Sequence, residues 1–144
     1  MKRSKKHRPI HPSVPMLVNR MVNETVETLA EHNVIVAFRF KVAQKEHYDY
    51  LVRMANMLNI AYQCKPSDEA HHIYNHLDAL AKAIFERYGR VGKFGVLGDE
   101  LTLMRKLVLA YDAYWKRQTT TLYNHCAYEL NAFYAELAQE KADV

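Results

Sequence analysis

The sequence predicts an all-α fold, a helical bundle of four to five helices, on three observations. Apolar residues recur at the 3.6-residue spacing of a helix through most of the chain. Only one short stretch alternates as a strand would, and a lone strand has no partner to bond with. The helix breakers are confined to a few places: prolines at 9, 12, 15 and 66, and glycines at 89, 92, 95 and 98, which leaves long segments free to stay helical. With 144 residues, 49% of them apolar, the chain can bury one hydrophobic core.

Residues 1–12 read as a basic, proline-containing flexible arm and 13–144 as a single helical domain. The three-residue spacing of Pro9, Pro12 and Pro15 favours an extended lead-in, because proline fixes φ and removes a backbone donor. Ser13 can cap a first helix with Pro15 in its opening turn. Its apolar face is Val18, Met21, Val22, Thr25, Val26 and Leu29, running to about Glu31, with His32 and Asn33 ending it. Phe38 to Val42 is the strand-like stretch, but Val36, Phe40, Ala43, His47, Leu51, Met54, Leu58 and Ala61 share one helical face. A single helix from Val34 to Tyr62 is therefore expected, with His47 as a satisfied core histidine.

Cys64, Lys65 and Pro66 interrupt the pattern, and Ser67 then supplies a cap. Asp68 and Glu69 follow it, where the helix dipole favours negative charge. Ala70, Ile73, Leu77, Leu80, Ile84 and Tyr88 form the apolar stripe of the next helix, which is expected to stop at Gly89. The glycines at 89, 92, 95 and 98 repeat every three residues, so a conformation with about three residues per turn would separate three edges. One edge is glycine, one is Arg90, Lys93 and Val96, and one is Val91, Phe94 and Leu97, which could dock on the core. Asp99 and Glu100 open the last region, where Met104, Val108, Tyr111, Trp115, Leu122, Cys126, Phe133 and Leu137 stay in phase. That phase argues for one helix over 104–137, whereas Thr119, Thr120 and Thr121 argue for a break. A continuous helix would span about 50 Å and protrude, offering a homodimer contact.

Charge is segregated along the chain. Lys and Arg number 20 against 16 Asp and Glu, and Lys2, Arg3, Lys5, Lys6 and Arg8 all lie in the first eight residues. Without those five, fifteen cations face sixteen acids, a formal −1. Clustered cations on an acid-free segment gain affinity for phosphates by counterion release. Nucleic acid or a nucleoprotein is thus the expected partner, with an acidic protein or surface as the competing target. No apolar run exceeds five residues, the length of Val34 to Phe38, so no membrane span is expected, and prolines occupy the place of a signal-peptide core. Cys64 and Cys126 are far apart in sequence and outside any Cys-x-x-Cys pair, which suits a cytoplasmic protein without a disulfide framework or thiolate zinc site.

The constellations that could carry chemistry are few. Gly92-Lys93-Phe94-Gly95 has the Gly-x-x-Gly spacing with which KH loops clamp a nucleic-acid backbone, but those loops need strands around them. Read as a helix cap and linker, the segment still makes Arg90 and Lys93 the phosphate-contact candidates of the body. His72 and His76 lie one helical turn apart, with Asp68 and Glu69 a turn earlier. Such an edge suits a metal, but a zinc site needs a third ligand that the sequence does not place, and no metal or other cofactor is assigned. Serine occurs only at 4, 13 and 67, and no nucleophile elbow or nucleotide phosphate loop is present, so a non-enzymatic function is expected. Tyr111, Tyr114, Trp115, Tyr123, Tyr128, Phe133 and Tyr134 crowd the last region beside Lys116 and Arg117 and could stack on bases, although aromatics at helical spacing more often fill a core. Tyr111, Trp115 and Phe133 fall on its core stripe, and Tyr114, Tyr128 and Tyr134 fall at its flanks, where tyrosine suits an interface.

The opening KRSKKHRPIHPSVP, with its basic cluster, Arg8-Pro9 and proline ladder, resembles the start of small basic-N-terminus proteins of Gram-negative phages and mobile elements. That resemblance implies a host-interacting or nucleic-acid-associated protein and assigns no functional residue. The expected function is a small helical binding or regulatory protein whose arm contacts nucleic acid or a nucleoprotein. The alternatives are an inhibitor or adaptor that binds a host protein directly, and a helical metal-binding protein.

Overall fold

The computed structural model describes residues 29–143, so the basic arm, the proline ladder and the helix start at Ser13 lie outside the described residues. The described residues form helices and no strand, an all-α bundle. Its elements are α1 (29–39), α2 (Lys45–Cys64), α3 (Asp68–Val91), α4 (Gly98–Lys116) and α5 (Thr120–Asp143).

The first correction lies between α1 and α2. The helix does not stop at His32 and Asn33, which are exposed positions within α1, and the expected Val34 to Tyr62 helix is divided at 40–44. The division is a Schellman closure. Val42 N donates to Ala37 O at 2.9 Å and Lys41 N donates to Phe38 O at 3.2 Å, with Lys41 in the left-handed region at φ 62°. The buried face of α1 is Val34, Ala37 and Phe38, whereas Leu29, Val36, Phe40 and Val42 are exposed. Apolar alternation across Phe38 to Val42 therefore marks a helix end and a turn.

Gln44 is the N-cap of α2, and its backbone N donates to His47 Nδ1 at 2.8 Å. His47 is half-exposed and caps the helix, so it is satisfied but does not sit in the core. Leu51, Met54, Ala55, Met57, Leu58 and Ala61 form the buried face of α2, and Pro66 follows its end. Ser67 caps α3 as expected, its Oγ accepting from Ala70 N at 3.1 Å, and Asp68 and Glu69 occupy the first turn. α3 passes through Gly89 and ends at Gly92, whose φ of 75° glycine adopts without a Cβ penalty. The expected stripe is buried from Ala70 through Ile84, but Tyr88 is exposed.

The glycine segment does not form a three-residue-per-turn helix. Gly89 belongs to α3 and Gly98 to α4, which leaves a short loop. Of the expected docking edge only Phe94 packs against the core, since Val91 and Leu97 are exposed.

The region after Asp99 resolves into two helices. Arg117 N and Gln118 N bond back to Tyr114 O and Trp115 O, each at 3.1 Å, and Thr119 Oγ1 accepts from Leu122 N at 3.1 Å to start α5. No helix after α1 exceeds 24 residues, about 36 Å, in place of a single rod of about 50 Å, and residues 135–142 at the end of α5 are all exposed. Met104, Leu107, Val108, Tyr111, Tyr114 and Trp115 of α4 are buried, as are Cys126 and Leu130 of α5. Phe133 and Leu137, placed on the stripe by their phase, are exposed.

α2 packs against both α3 and α5, and α3 also packs against α4. Tyr48 near the start of α2 meets Phe85 near the end of α3, and Tyr62 meets His71, which makes that pair antiparallel. Arg87–Glu100 and the 92–97 loop close the end of the bundle where α2 begins. At the opposite end Arg117 pairs with Glu69, and Lys65 Nζ donates to Gln118 at 3.1 Å.

Candidate functional site

The residues that could meet a partner gather where α2 begins and α3 ends. Arg90 lies in the last turn of α3 and Lys93 just past its cap, and both are exposed. Arg90 makes an open pair with Glu86 at 3.4 Å, which solvent screens, and Lys93 makes no ion pair among the described residues. Lys2, Arg3, Lys5, Lys6 and Arg8 lie outside the described residues.

Beneath Lys93 the loop is clamped. Arg87 Nη1 donates to Gly95 O at 2.8 Å and Nη2 to Glu100 Oε2 at 2.9 Å, while Leu97 N donates to Glu100 Oε1 at 2.8 Å. The two side chains are 19% and 18% exposed, so solvent screens this pair less than the open pairs on the helix surfaces. Burial opposes ionisation of Glu100, but the bonds from Arg87 and Leu97 and the guanidinium charge outweigh it, holding this carboxyl below its ordinary value. The glycines between the helices thus form a fixed loop.

The same clamp presents a ladder of aromatic rings. Tyr88 and Phe94 stack at 4.1 Å and 9°, Phe94 and Tyr48 at 5.3 Å and 22°, and Tyr48 and Phe85 at 6.0 Å and 30°. One end of the ladder, Phe85, is 61% exposed and the other, Tyr88, is 40% exposed. Burial raises the Tyr48 hydroxyl above its ordinary pKa, aided by Asp49 and Asp78, so the ring stays neutral. Sequence reasoning placed Phe94 on an inward edge and Tyr88 on the α3 stripe, but missed Tyr48 and Phe85. The signal was available in principle, since Phe85 follows Ile84 directly and lies off the stripe.

The aromatics of the last region do other work. Tyr111, Tyr114 and Tyr123 meet Trp115 edge to face at 6.3, 5.1 and 5.0 Å, an arrangement typical of cores. Tyr114 is buried rather than flanking, Tyr134 is half-buried and bonded to Asn56 Nδ2 at 3.1 Å, and Tyr128 is exposed.

The histidine edge does not close into a metal site. His72 and His76 rings lie 4.3 Å apart, and His76 Nδ1 lies 2.9 Å from the His72 carbonyl oxygen, which accepts when that nitrogen is protonated. Glu69 is engaged by Arg117, His71 packs on Tyr62, and no group of three metal-ligating side chains occurs among the described residues. Cys126 is buried, and desolvation pushes its thiol up to about 12, so it stays protonated and inert at neutral pH. Cys64 is exposed at an open groove of about 550 Å³ between α2 and α5, with Asn59, Gln63, His125 and Glu129 also on its walls. No helix among the described residues is long and apolar enough to cross a membrane. Comparison of the chain with protein-family models, with curated proteins and with solved structures finds no match.

Proposed function

We propose that this chain is a small, non-enzymatic helical binding protein whose basic arm contacts nucleic acid or a nucleoprotein complex while the helical body supplies the specific interaction. The observation that carries this reading is the charge segregation: five cations in the first eight residues on a body of formal charge −1. A uniformly basic protein would spread its attraction over the surface, whereas this one concentrates it in a segment that can follow a phosphate backbone. Exposed Arg90 and Lys93 extend the same chemistry into the body. The resemblance of the opening to basic-N-terminus phage and mobile-element proteins agrees with it.

A second reading, an adaptor or inhibitor that binds a host protein directly, is favoured by the apolar side chains that α5 leaves exposed, Tyr128, Phe133 and Leu137. A pull-down from cell extract with and without nuclease separates the two. The first reading expects the captured material to be lost on nuclease treatment or at raised salt. Capture of one stoichiometric protein that survives both overturns it in favour of the second.

A further inference from the structure

We propose that the ring ladder Tyr88–Phe94–Tyr48–Phe85 is a base-stacking platform, which makes the body a reader of single-stranded nucleic acid. The inference rests on the nucleic-acid reading above and names the substrate form that the body selects. Tyr88 and Phe94 stack nearly parallel at 4.1 Å, the two further pairs are more offset at 5.3 and 6.0 Å with 22° and 30° between planes, and the ladder ends at Phe85, which adjoins Tyr48 and is 61% exposed. An unpaired base laid on Phe85 would continue the stack. Bases within a duplex have both faces already covered, so only a single strand can supply one.

The charge around the ladder fits a phosphate backbone. Lys93 directly precedes Phe94, Arg39 ends α1 and Lys41 lies in the turn that leads into α2, with the Arg39 guanidinium 5.4 Å from the Phe40 ring centroid. Asp49, Asp78, Glu86 and Glu100 are paired with Lys45, Lys82, Arg90 and Arg87. Of the remaining acids, Glu46 and Asp99 occupy the first turns of α2 and α4, where the helix dipoles offset their charge. Arg39, Lys41 and Lys93 are the cations left to meet phosphates. The Arg87–Glu100 clamp fixes Phe94 and so holds the ladder ready before a strand arrives.

The test measures affinities of the full chain for a fluorescein-labelled oligothymidylate of about 16 nucleotides and for a duplex of equal length, at one fixed low salt. Phe85→Ala and Phe85→Leu are compared with the unaltered chain and with Phe85→Tyr, and thermal melting checks that each variant folds. Because Phe85 is a surface residue, the expected result is normal melting, about a tenfold loss of single-strand affinity relative to duplex in both Ala and Leu variants, and rescue by Tyr. Nucleic-acid binding by the full chain with no change in Phe85→Ala overturns the platform and leaves the arm reading standing. Full retention in Phe85→Leu overturns stacking, since leucine keeps the apolar surface without a ring face. Failure of the unaltered chain to bind either probe overturns the nucleic-acid reading and the platform with it. Loss of a stoichiometric protein partner in Phe85→Ala, with oligothymidylate binding intact, shows the ladder to be a protein interface and overturns the platform.

Discussion

Lys41 holds the left-handed conformation where helices usually place glycine, and its Cβ makes that backbone costly. Lys41→Gly should therefore stabilise the fold by up to about 1 kcal/mol, the relief of strain exceeding the entropy glycine adds to the unfolded chain. Chemical denaturation would register this as a higher midpoint at unchanged slope; a lower midpoint would mean that the Lys41 side chain contributes more than its backbone costs. The same residue explains why the end of α1 was hidden from the sequence. A glycine at 41 would have announced it, as Gly92 announces the end of α3. Glu100 makes a second residue-scale case. Its carboxyl is held below its ordinary value, so it adds stability at neutral pH that is fully present above the unfolded value of 4.5 and is lost as pH falls through the lower folded value. Glu100→Gln should lower stability at pH 7 by about 1–2 kcal/mol and flatten the acid limb of the stability profile below pH 4.5. An unchanged acid limb would show that the Arg87 clamp contributes nothing.

Among the elements, the legible boundaries were those with side-chain chemistry of their own. Ser67, Asp68 and Glu69 after Pro66 marked the start of α3, and the cap is there. The break between α4 and α5 was visible as Thr119 to Thr121 but was opposed by a phase that ran across it. Phase alone cannot separate a continuous helix from two helices whose faces happen to align, because each reports only its own period. The aligned phase placed Cys126 in the core, where it is, but misassigned the rest of the α5 face: Leu130 is 2% exposed, whereas Phe133, expected on the core, is 50% exposed. Leu130→Ala should cost about 3 kcal/mol and Phe133→Ala less than about 1 kcal/mol. Equal losses in thermal or chemical unfolding would restore the phase-based face. The ladder was illegible for a different reason. Tyr48, Phe85 and Phe94 come from α2, α3 and a loop, and only tertiary packing brings their rings together.

At the scale of the whole molecule, the division of labour follows from charge and burial together. Among the described residues one core joins all five helices, from Val34 in α1 to Leu130 in α5. That body carries a near-neutral charge, and the proposed attraction to a polyanion therefore rests chiefly on Lys2, Arg3, Lys5, Lys6 and Arg8. All-helical architecture was legible because it needs only periodicity and the confinement of breakers, whereas the partner was not, since no motif with fixed spacing encodes it. The most direct test of the central claim compares the full chain with a chain lacking Met1 to Ile10 in binding to nucleic acid across a salt series. The account predicts that the deletion removes most of the affinity for duplex and lowers the log–log salt slope by at most about 4.5, the share of the arm's five phosphate contacts. Equal affinity and equal slope in the two chains would contradict it.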